Sequence, residues 1–453
     1  MVVMKFGGTS VKDAEAMKKV IEIVINSKFK RKLVVVSAMS KITDSLIDVA
    51  KNISLNKEYS LHKLDEIMLQ HLNEVDNLKL NDIVSERIVL EFDFLKNEVT
   101  NQKEFNSEVY DLFVSRGELL SSFILSKAFE MKGLRCYNLD SKEVIKTDSN
   151  FGEAKVNQQE TNKLIQNKLN EIYKNYNLVV AGGFIASNLE NEPTTLGRGG
   201  SDYSAAIYAS ALEANELEIW TDVDGIFTCD PRMIKSAKRI LKLSYTEAGE
   251  LAYFGAKVLH PKTILPAIEK NIPVIVKNTF NPSSSGTRIE NEKQNIKMIK
   301  AIAFRKNISI INIQSNRMLG AYGFLSRVFE IFNKNETSVD LVTTSEVSIS
   351  VTIDDIKNLH SIMKDLEEFS LVSVSHSNAV ISVVGEGIKL TAGIAARYFG
   401  VLKGINILMV SFGASEVNLS IIVKESDLEN SVNLLHSEFF STNLDNEVFL
   451  EVN

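Results

Sequence analysis

The chain has 453 residues, 44% hydrophobic and 24% charged, which is more than one hydrophobic core sustains and predicts two or three domains. Its 51 basic and 58 acidic residues give a net charge of −7 with no long basic tract, which argues against nucleic acid as a main partner. Two distant cysteines (Cys136, Cys229), scattered histidines, and the lack of a signal peptide or an apolar run of about 18 residues predict a cytoplasmic protein without disulfide, zinc site or membrane span.

Apolar runs rich in valine and isoleucine at Val2–Phe6, Leu33–Ser37, Asn177–Ala181, Leu217–Thr221 and Ile272–Val276 read as strands buried on both faces of a parallel sheet. From Asn52 to about Lys132 the period turns helical, with Leu61, Leu64, Ile67, Met68 and His71 on one face. Turn formers cluster in "NPSSSGT", Asn281 to Thr287, before a charged segment, and mark a domain boundary. The expected domains are residues 1–295, 296–378 and 379–453, with a strand at 299–306 pairing into the last.

The tail is an internal repeat. "SEVSISVTI" from Ser345 and "SEVNLSIIV" from Ser415 lie 415 − 345 = 70 residues apart, and the same offset sets Ile311 on Ile381, Gly323 on Gly393 and Phe329 on Phe399 without a gap. Each copy reads strand, glycine loop, helix, strand, strand, helix, which predicts two duplicated α+β modules.

Two loops carry the chemistry. In "VMKFGGTSV", a strand ending at Phe6 and then Gly7, Gly8, Thr9 and Ser10 would aim backbone N–H groups at an anion, with Lys5 at the strand end neutralising a phosphoryl group. Taken alone it reads equally as an ordinary strand-to-helix turn with a capping hydroxyl. In "TTLGRGGSDYSAA", Arg198 offers a fork for a carboxylate and Asp202 a charge for an ammonium, amid Gly197, Gly199 and Gly200. Two such loops, together with "TDVDGIFTCDPR" from Thr221 and "FGAKVLHP" carrying Lys257, suit phosphoryl transfer.

In order along the chain, "KFGGTSV", "SRGELLS", "GGFIAS", "TTLGRGGSDYSAA", "WTDVDGIFTCDPR" and "FGAKVLHP" resemble the aspartokinases, and "GFLSRVFEIF" with "SVDLVTTSEVSIS" resembles their paired ACT domains, especially those of the lysine-regulated branch. The resemblance implies an α/β amino acid kinase fold, a three-layer αβα sandwich on a mostly parallel sheet, followed by two ferredoxin-like ACT domains. It implies ATP-dependent phosphorylation of the β-carboxylate of L-aspartate, with Mg2+ accompanying ATP and no protein ligand for the metal assigned. Lys5, Asp202 and Lys257 would be catalytic. Nucleotide would meet Lys5, Gly7, Gly8, Ser10, Thr221, Asp222, Phe227, Arg232, Lys257 and Val258; aspartate would meet Thr43, Glu118, Gly183, Phe184, Arg198, Gly199 and Ser201.

For the tail the resemblance implies L-lysine as effector, at Met318, Phe324, Leu325, Ser338, Val339, Asp340, Ser345 and Glu346, and a homo-oligomer held through ACT domains. Asp340 falls on Val410 in the second copy, so an ammonium favours the first. Gly320 and Ala321 remove side-chain hydrogen bonds from the effector loop, which predicts altered lysine affinity. Two competing readings are another amino acid kinase, separated by a substrate panel, and an inactive amino-acid-binding regulator, separated by lysine binding without ATP turnover.

Overall fold

The computed structural model describes residues 1–102, 104–255, 261–291, 299–315, 322–441 and 448–450. The chain divides into two compact units that alternate in sequence: Met1–Ile226, Leu241–Tyr245 and Val258–Asn291 form the first, and Phe227–Ile240, Thr246–Lys257 and Glu292–Asn453 the second.

The order begins β1 (Val2–Phe6), α1 (Ala14–Asn26), β2 (Lys32–Val36), α2 (Ile42–Asn52), α3 (Lys57–Asn77), α4 (Asp82–Asn101), α5 (Ser107–Met131) and β3 (Cys136–Leu139). It continues α6 (Gln158–Ile172), β4 (Leu178–Gly182), β5 (Ile185–Ser187), β6 (Pro193–Thr195), α7 (Gly200–Ala211) and β7 (Glu216–Thr221). Then come β8 (Arg239–Ile240), β9 (Lys242–Ser244), α8 (Tyr245–Tyr253), α9 (Leu265–Glu269), β10 (Val274–Asn278) and β11 (Thr287–Glu290).

Eight strands make the sheet of the first unit, in the order β3-β4-β2-β1-β7-β10-β11-β9. Every neighbouring pair is parallel except β10 with β11. Val2, Met4 and Phe6 join a buried cluster with α1 and α5. Because side chains alternate along a strand, Val3 and Lys5 turn to the other face, where α7 packs on β1, β2 and β7. Helices on both faces explain why these strands read as unbroken apolar runs. Asparagine and aspartate caps start the helices: Asp13 accepts from Ala16 N, Asn56 from Tyr59 N and Asn106 from Val109 N. On α3, Leu64, Ile67 and His71 are buried, while Leu61 and Met68 pack half-buried against the same cluster.

The second unit continues β12 (Ala301–Gln314), α10 (Phe324–Lys334), β13 (Val342–Thr344), β14 (Ser348–Ile353), α11 (Leu359–Glu367), β15 (Leu371–Val384), α12 (Ile394–Val401), β16 (Met409–Phe412), β17 (Asn418–Lys424) and α13 (Leu428–Phe440). One antiparallel sheet, β13-β14-β12-β15-β17-β16, joins both copies of the repeat through β12 and β15. The 70-residue offset carries the start of α10, Phe324, onto the start of α12, Ile394, and the start of β14, Ser348, onto that of β17, Asn418. Gly323 and Gly393 cap these helices at φ 78° and 81°, a left-handed backbone that a side chain would strain. Residues 301–305 pair with 380–384 on β15.

A single cut at 295 follows chain order, whereas packing draws two earlier stretches toward the tail. Ile302 N–H donates to Thr228 O at 2.7 Å, and Lys300 Nζ lies 2.8 Å from Glu247 Oε2 with both side chains buried.

Candidate active site

At the carboxyl ends of β1 and β2, where open parallel sheets place their ligands, a cavity of about 980 Å³ gathers Lys5, Thr43, Glu118, Phe184, Arg198, Ser201 and Asp202. Lys5 reaches across to the first turn of α7, its Nζ 2.6 Å from Asp202 Oδ1, with 12% and 17% of the two side chains exposed. The lysine is thereby held extended, with its charge at the cavity rather than in solvent.

Glu118 lies on α5 and is only 3% exposed. Its Oε2 is buried without a hydrogen-bond partner. Burial pushes this carboxyl up to about 8, against a downward pull from backbone hydrogen bonding at Ala38 and from the Lys5 charge. A buried carboxyl with one oxygen unpartnered beside a cavity is poised to receive a donor, and an ammonium group would supply both a hydrogen bond and countercharge.

The glycine loops bring backbone close to backbone. A Cβ on Gly183 would stand 2.8 Å from Ser201 Cα, and Gly199 holds φ 75° at the cap of α7 with Thr263 Cγ2 2.7 Å from where a Cβ would sit. Phe184 adopts φ 67°, rare for a bulky residue, and its N–H donates to Ser204 Oγ at 2.9 Å. Gly7 N–H donates to Trp220 O at 3.1 Å, and a Cβ on Gly8 would stand 3.0 Å from Ala38 O.

Not every expected contact faces the cavity. Ser10 is fully buried and its hydroxyl pairs with Thr279 Oγ1 at 2.7 Å, so it braces the loop from within. Thr221 ends β7 and Asp222 follows it, with the Thr221 hydroxyl donating to Asp222 Oδ1 at 3.1 Å. Phe227 and Arg232 fall within the second unit, where the exposed Arg232 forks onto Asp230 at 2.7 Å. Lys257 and Val258 lie outside the described residues.

Of the expected effector residues, Met318, with Gly320 and Ala321 beside it, lies outside the described residues. Phe324 stacks edge-on against Phe369 with centroids 5.4 Å apart, Val339 packs on the same small core, and Leu325 and Ser338 are exposed. Asp340 is already engaged: Arg305 lies 2.6 Å from Oδ2, and the Tyr253 hydroxyl donates to Oδ1 at 2.8 Å. Ser345 pairs with Ser348 Oγ at 2.6 Å, and Glu346 is exposed.

The structure adds residues that the motifs do not name. Asp44, Lys51, Tyr110, Asn150 and Glu153 line the cavity, and Asp111 stands fully buried behind it. Asp111 shares a helix face with Glu118, two turns on, but that face also carries Ser115, Ser121 and Ser122, so no local pattern singles it out. Among the described residues no group of three or more histidine, cysteine, aspartate or glutamate side chains is arranged to hold a metal ion, and no helix is long and apolar enough to cross a membrane.

Comparison with known proteins agrees with this geometry. The amino acid kinase family model matches residues 1–278, and an ACT domain model matches 311–359 and 381–439. The chain is 36% identical over 457 residues to the lysine-sensitive aspartokinase 3 of Escherichia coli, covering 97% of this chain and 99% of that one. It is also 36% identical to the chloroplastic aspartokinase 1 of Arabidopsis thaliana, covering 97% of this chain and 80% of the relative. The crystal structure of E. coli aspartokinase III with aspartate and ADP in the R-state superposes at TM-score 0.85 and 36% identity, over 97% of this chain and all of that one. Its lysine- and aspartate-bound T-state superposes at TM-score 0.84 over 97% of this chain and 99% of that one. By family model, full-length identity and fold, the chain belongs to the amino acid kinase family and, within it, to the aspartokinases.

Proposed function

We propose that this protein transfers the γ-phosphoryl group of ATP to the β-carboxylate of L-aspartate, giving 4-phospho-L-aspartate and ADP. The observation that carries this reading is the buried Glu118 carboxyl, its Oε2 without a partner, in the same cavity as Arg198 and the Lys5–Asp202 pair. Glu118 takes the α-ammonium and Arg198 the α-carboxylate, with Thr43, Gly183, Phe184, Gly199 and Ser201 shaping the remainder. An oxygen of the β-carboxylate then attacks the γ-phosphorus as the bond from that phosphorus to the β–γ bridging oxygen breaks, and the electron pair leaves on ADP. The acceptor is already an anion, so no general base is needed.

Catalysis in such a transfer is mainly positioning and charge neutralisation. Lys5 meets the transferring group, Asp202 fixes Lys5, and the backbone of Gly7 and Gly8 approaches the phosphates. Ser10 contributes through the loop it braces. Thr221, Asp222, Phe227, Arg232, Lys257 and Val258 are assigned to the nucleotide. Mg2+ suits this donor set as a partner of the nucleotide phosphates, with Asp202 the carboxylate at hand, and when bound it would neutralise phosphate charge. The match to a relative crystallised with aspartate and ADP supports both substrates.

The same reading makes L-lysine the feedback effector, held by the first ACT copy at Met318, Phe324, Leu325, Ser338, Val339, Asp340, Ser345 and Glu346. It also makes residues 1–295 the catalytic domain, 296–378 and 379–453 the two ACT regions, and the ACT regions the contacts of a homo-oligomer. Buried free thiols at Cys136 and Cys229 support a reducing, cytoplasmic setting. The test is ATP consumption by the purified protein with L-aspartate, repeated with L-lysine. Turnover that lysine suppresses supports both assignments, turnover indifferent to lysine removes the effector site, and no turnover by folded protein removes the kinase reading.

A further inference from the structure

Asp111 is fully buried on α5, seven residues before Glu118, which is about two turns of the same helix. Its carboxylate draws together two segments remote in sequence. Gly152 N–H donates to Oδ2 at 2.9 Å, Thr195 N–H donates to the same oxygen at 3.0 Å, and the Thr195 hydroxyl donates to Oδ1. Ala154 N–H donates to Thr195 O at 2.9 Å, which closes the seam between the 150–154 loop and β6.

Both segments shape the cavity. Asn150, Phe151, Gly152 and Glu153 line it directly. Thr195 precedes Arg198 by three residues, and the Glu153 side chain lies over Gly197, its Cγ 2.5 Å from where a Cβ would stand. One helix therefore carries Glu118 itself and, through Asp111, the anchor of the loop that bears Arg198.

We propose that Asp111 is a positioning residue for the amino acid substrate, fixing the Arg198 loop and the 150–154 loop against the helix that presents Glu118. This rests on the reading of the cavity as the aspartate site. The residue touches neither substrate nor nucleotide. Its loss acts mainly on the amino acid, because the segments it ties, residues 150–154 and 193–199, carry none of the residues assigned to ATP.

The chemistry separates its variants. Asp111→Ala leaves the buried Thr195 N–H and the half-buried Gly152 N–H without their acceptor. Asp111→Asn keeps one oxygen for both N–H groups and sets an amide NH2 against the Thr195 oxygen, whose proton turns to Gly152 O, already 3.3 Å away. Asn is therefore the conservative variant that should rescue function.

The experiment is steady-state kinetics on the full chain, with KM for L-aspartate, KM for ATP and kcat measured separately. It is paired with amide hydrogen exchange over residues 148–155 and 193–199. Asp111→Ala should raise the aspartate KM roughly tenfold or more, move the ATP KM by less than about twofold and speed exchange in both segments, whereas Asp111→Asn should stay within about threefold of the parent. An unchanged aspartate KM in folded Asp111→Ala, or equal rises in both KM values, overturns the proposal. Should Asp111→Ala fail to fold, Thr195→Val and Thr195→Ser take its place, with Val expected to raise the aspartate KM and Ser to restore it; no difference between Val and the parent overturns the proposal. If the parent itself turns over no aspartate, the kinase reading fails instead, and unchanged exchange in the variants would separately refute the tie.

Discussion

Lys5 Nζ lies 2.6 Å from Asp202 Oδ1, so the cation at the end of the first strand and the acid at the start of α7 form one unit facing the cavity. In the proposed transfer the aspartate holds the lysine where negative charge gathers. Lys5→Ala should leave the fold intact, since the side chain contributes little to the apolar core, and lower kcat on the order of 10²–10³-fold. Coupled-assay kinetics beside a thermal melt check this. Near-normal kcat would remove Lys5 from the mechanism.

If Glu118 takes the substrate ammonium as proposed, aspartate binding depends on protons. With its carboxyl raised to about 8 by burial, it is mostly protonated near pH 7 in the free protein and must ionise to take an ammonium. Calorimetry of aspartate binding at pH 7 in buffers of different ionisation enthalpy should show about one proton released, and Glu118→Gln should show none. Stability follows the same linkage. The folded pKa lies above the ordinary value of 4.5, so the stabilisation is full below about 4.5 and fades as pH rises through about 8. Glu118→Gln should accordingly match the free parent at acid pH and exceed it at pH 9. Equal melting differences at both pH values would contradict this assignment.

Much of this was legible in the chain, for reasons that differ by element. Strands buried on both faces must be apolar throughout, so β1, β2, β4, β7 and β10 announce themselves, while β3 is short and half-exposed and does not. The repeat was readable from the matching segments at Ser345 and Ser415, and the same offset aligns Gly323 with Gly393, which occupy backbone that only glycine adopts easily. The tie of Ser10 to Thr279 was not legible, because a hydroxyl after two glycines looks the same in sequence whatever partner lies 269 residues away. Asp111 was silent because its three donors come from Gly152 and Thr195, two of them backbone groups whose approach no local spacing encodes.

Asp340, the carboxylate proposed to take the effector, is occupied from two sides. Tyr253 closes α8, four residues before Lys257 in the chain, and its hydroxyl shares Asp340 with Arg305. A lysine ammonium seeking Asp340 competes with both. Tyr253→Phe should therefore strengthen lysine inhibition, lowering the half-inhibitory concentration by about two- to tenfold, as fits loss of one competing hydrogen bond. Asp340→Ala should raise that concentration and leave uninhibited turnover similar. Inhibition curves for the two variants shifted in the same direction would show that Asp340 and Tyr253 do not share the effector's place.

Within the second unit, Lys300 and Glu247 form an ion pair that is 2% and 0% exposed, with the second Glu247 oxygen accepting Glu386 N–H at 2.9 Å. The pair pins α8 to the strand that leads the ACT sheet. Removing one partner strands the other charge away from water, so Lys300→Met should destabilise by about 3–5 kcal/mol. Adding Glu247→Gln neutralises the stranded acid while its carbonyl still accepts Glu386 N–H. The double variant should therefore be more stable than the sum of the single changes by at least about 1 kcal/mol. Chemical denaturation of the four proteins, followed by a probe in the second unit because two units need not melt together, measures that coupling, and strict additivity would show the two charges to be independent.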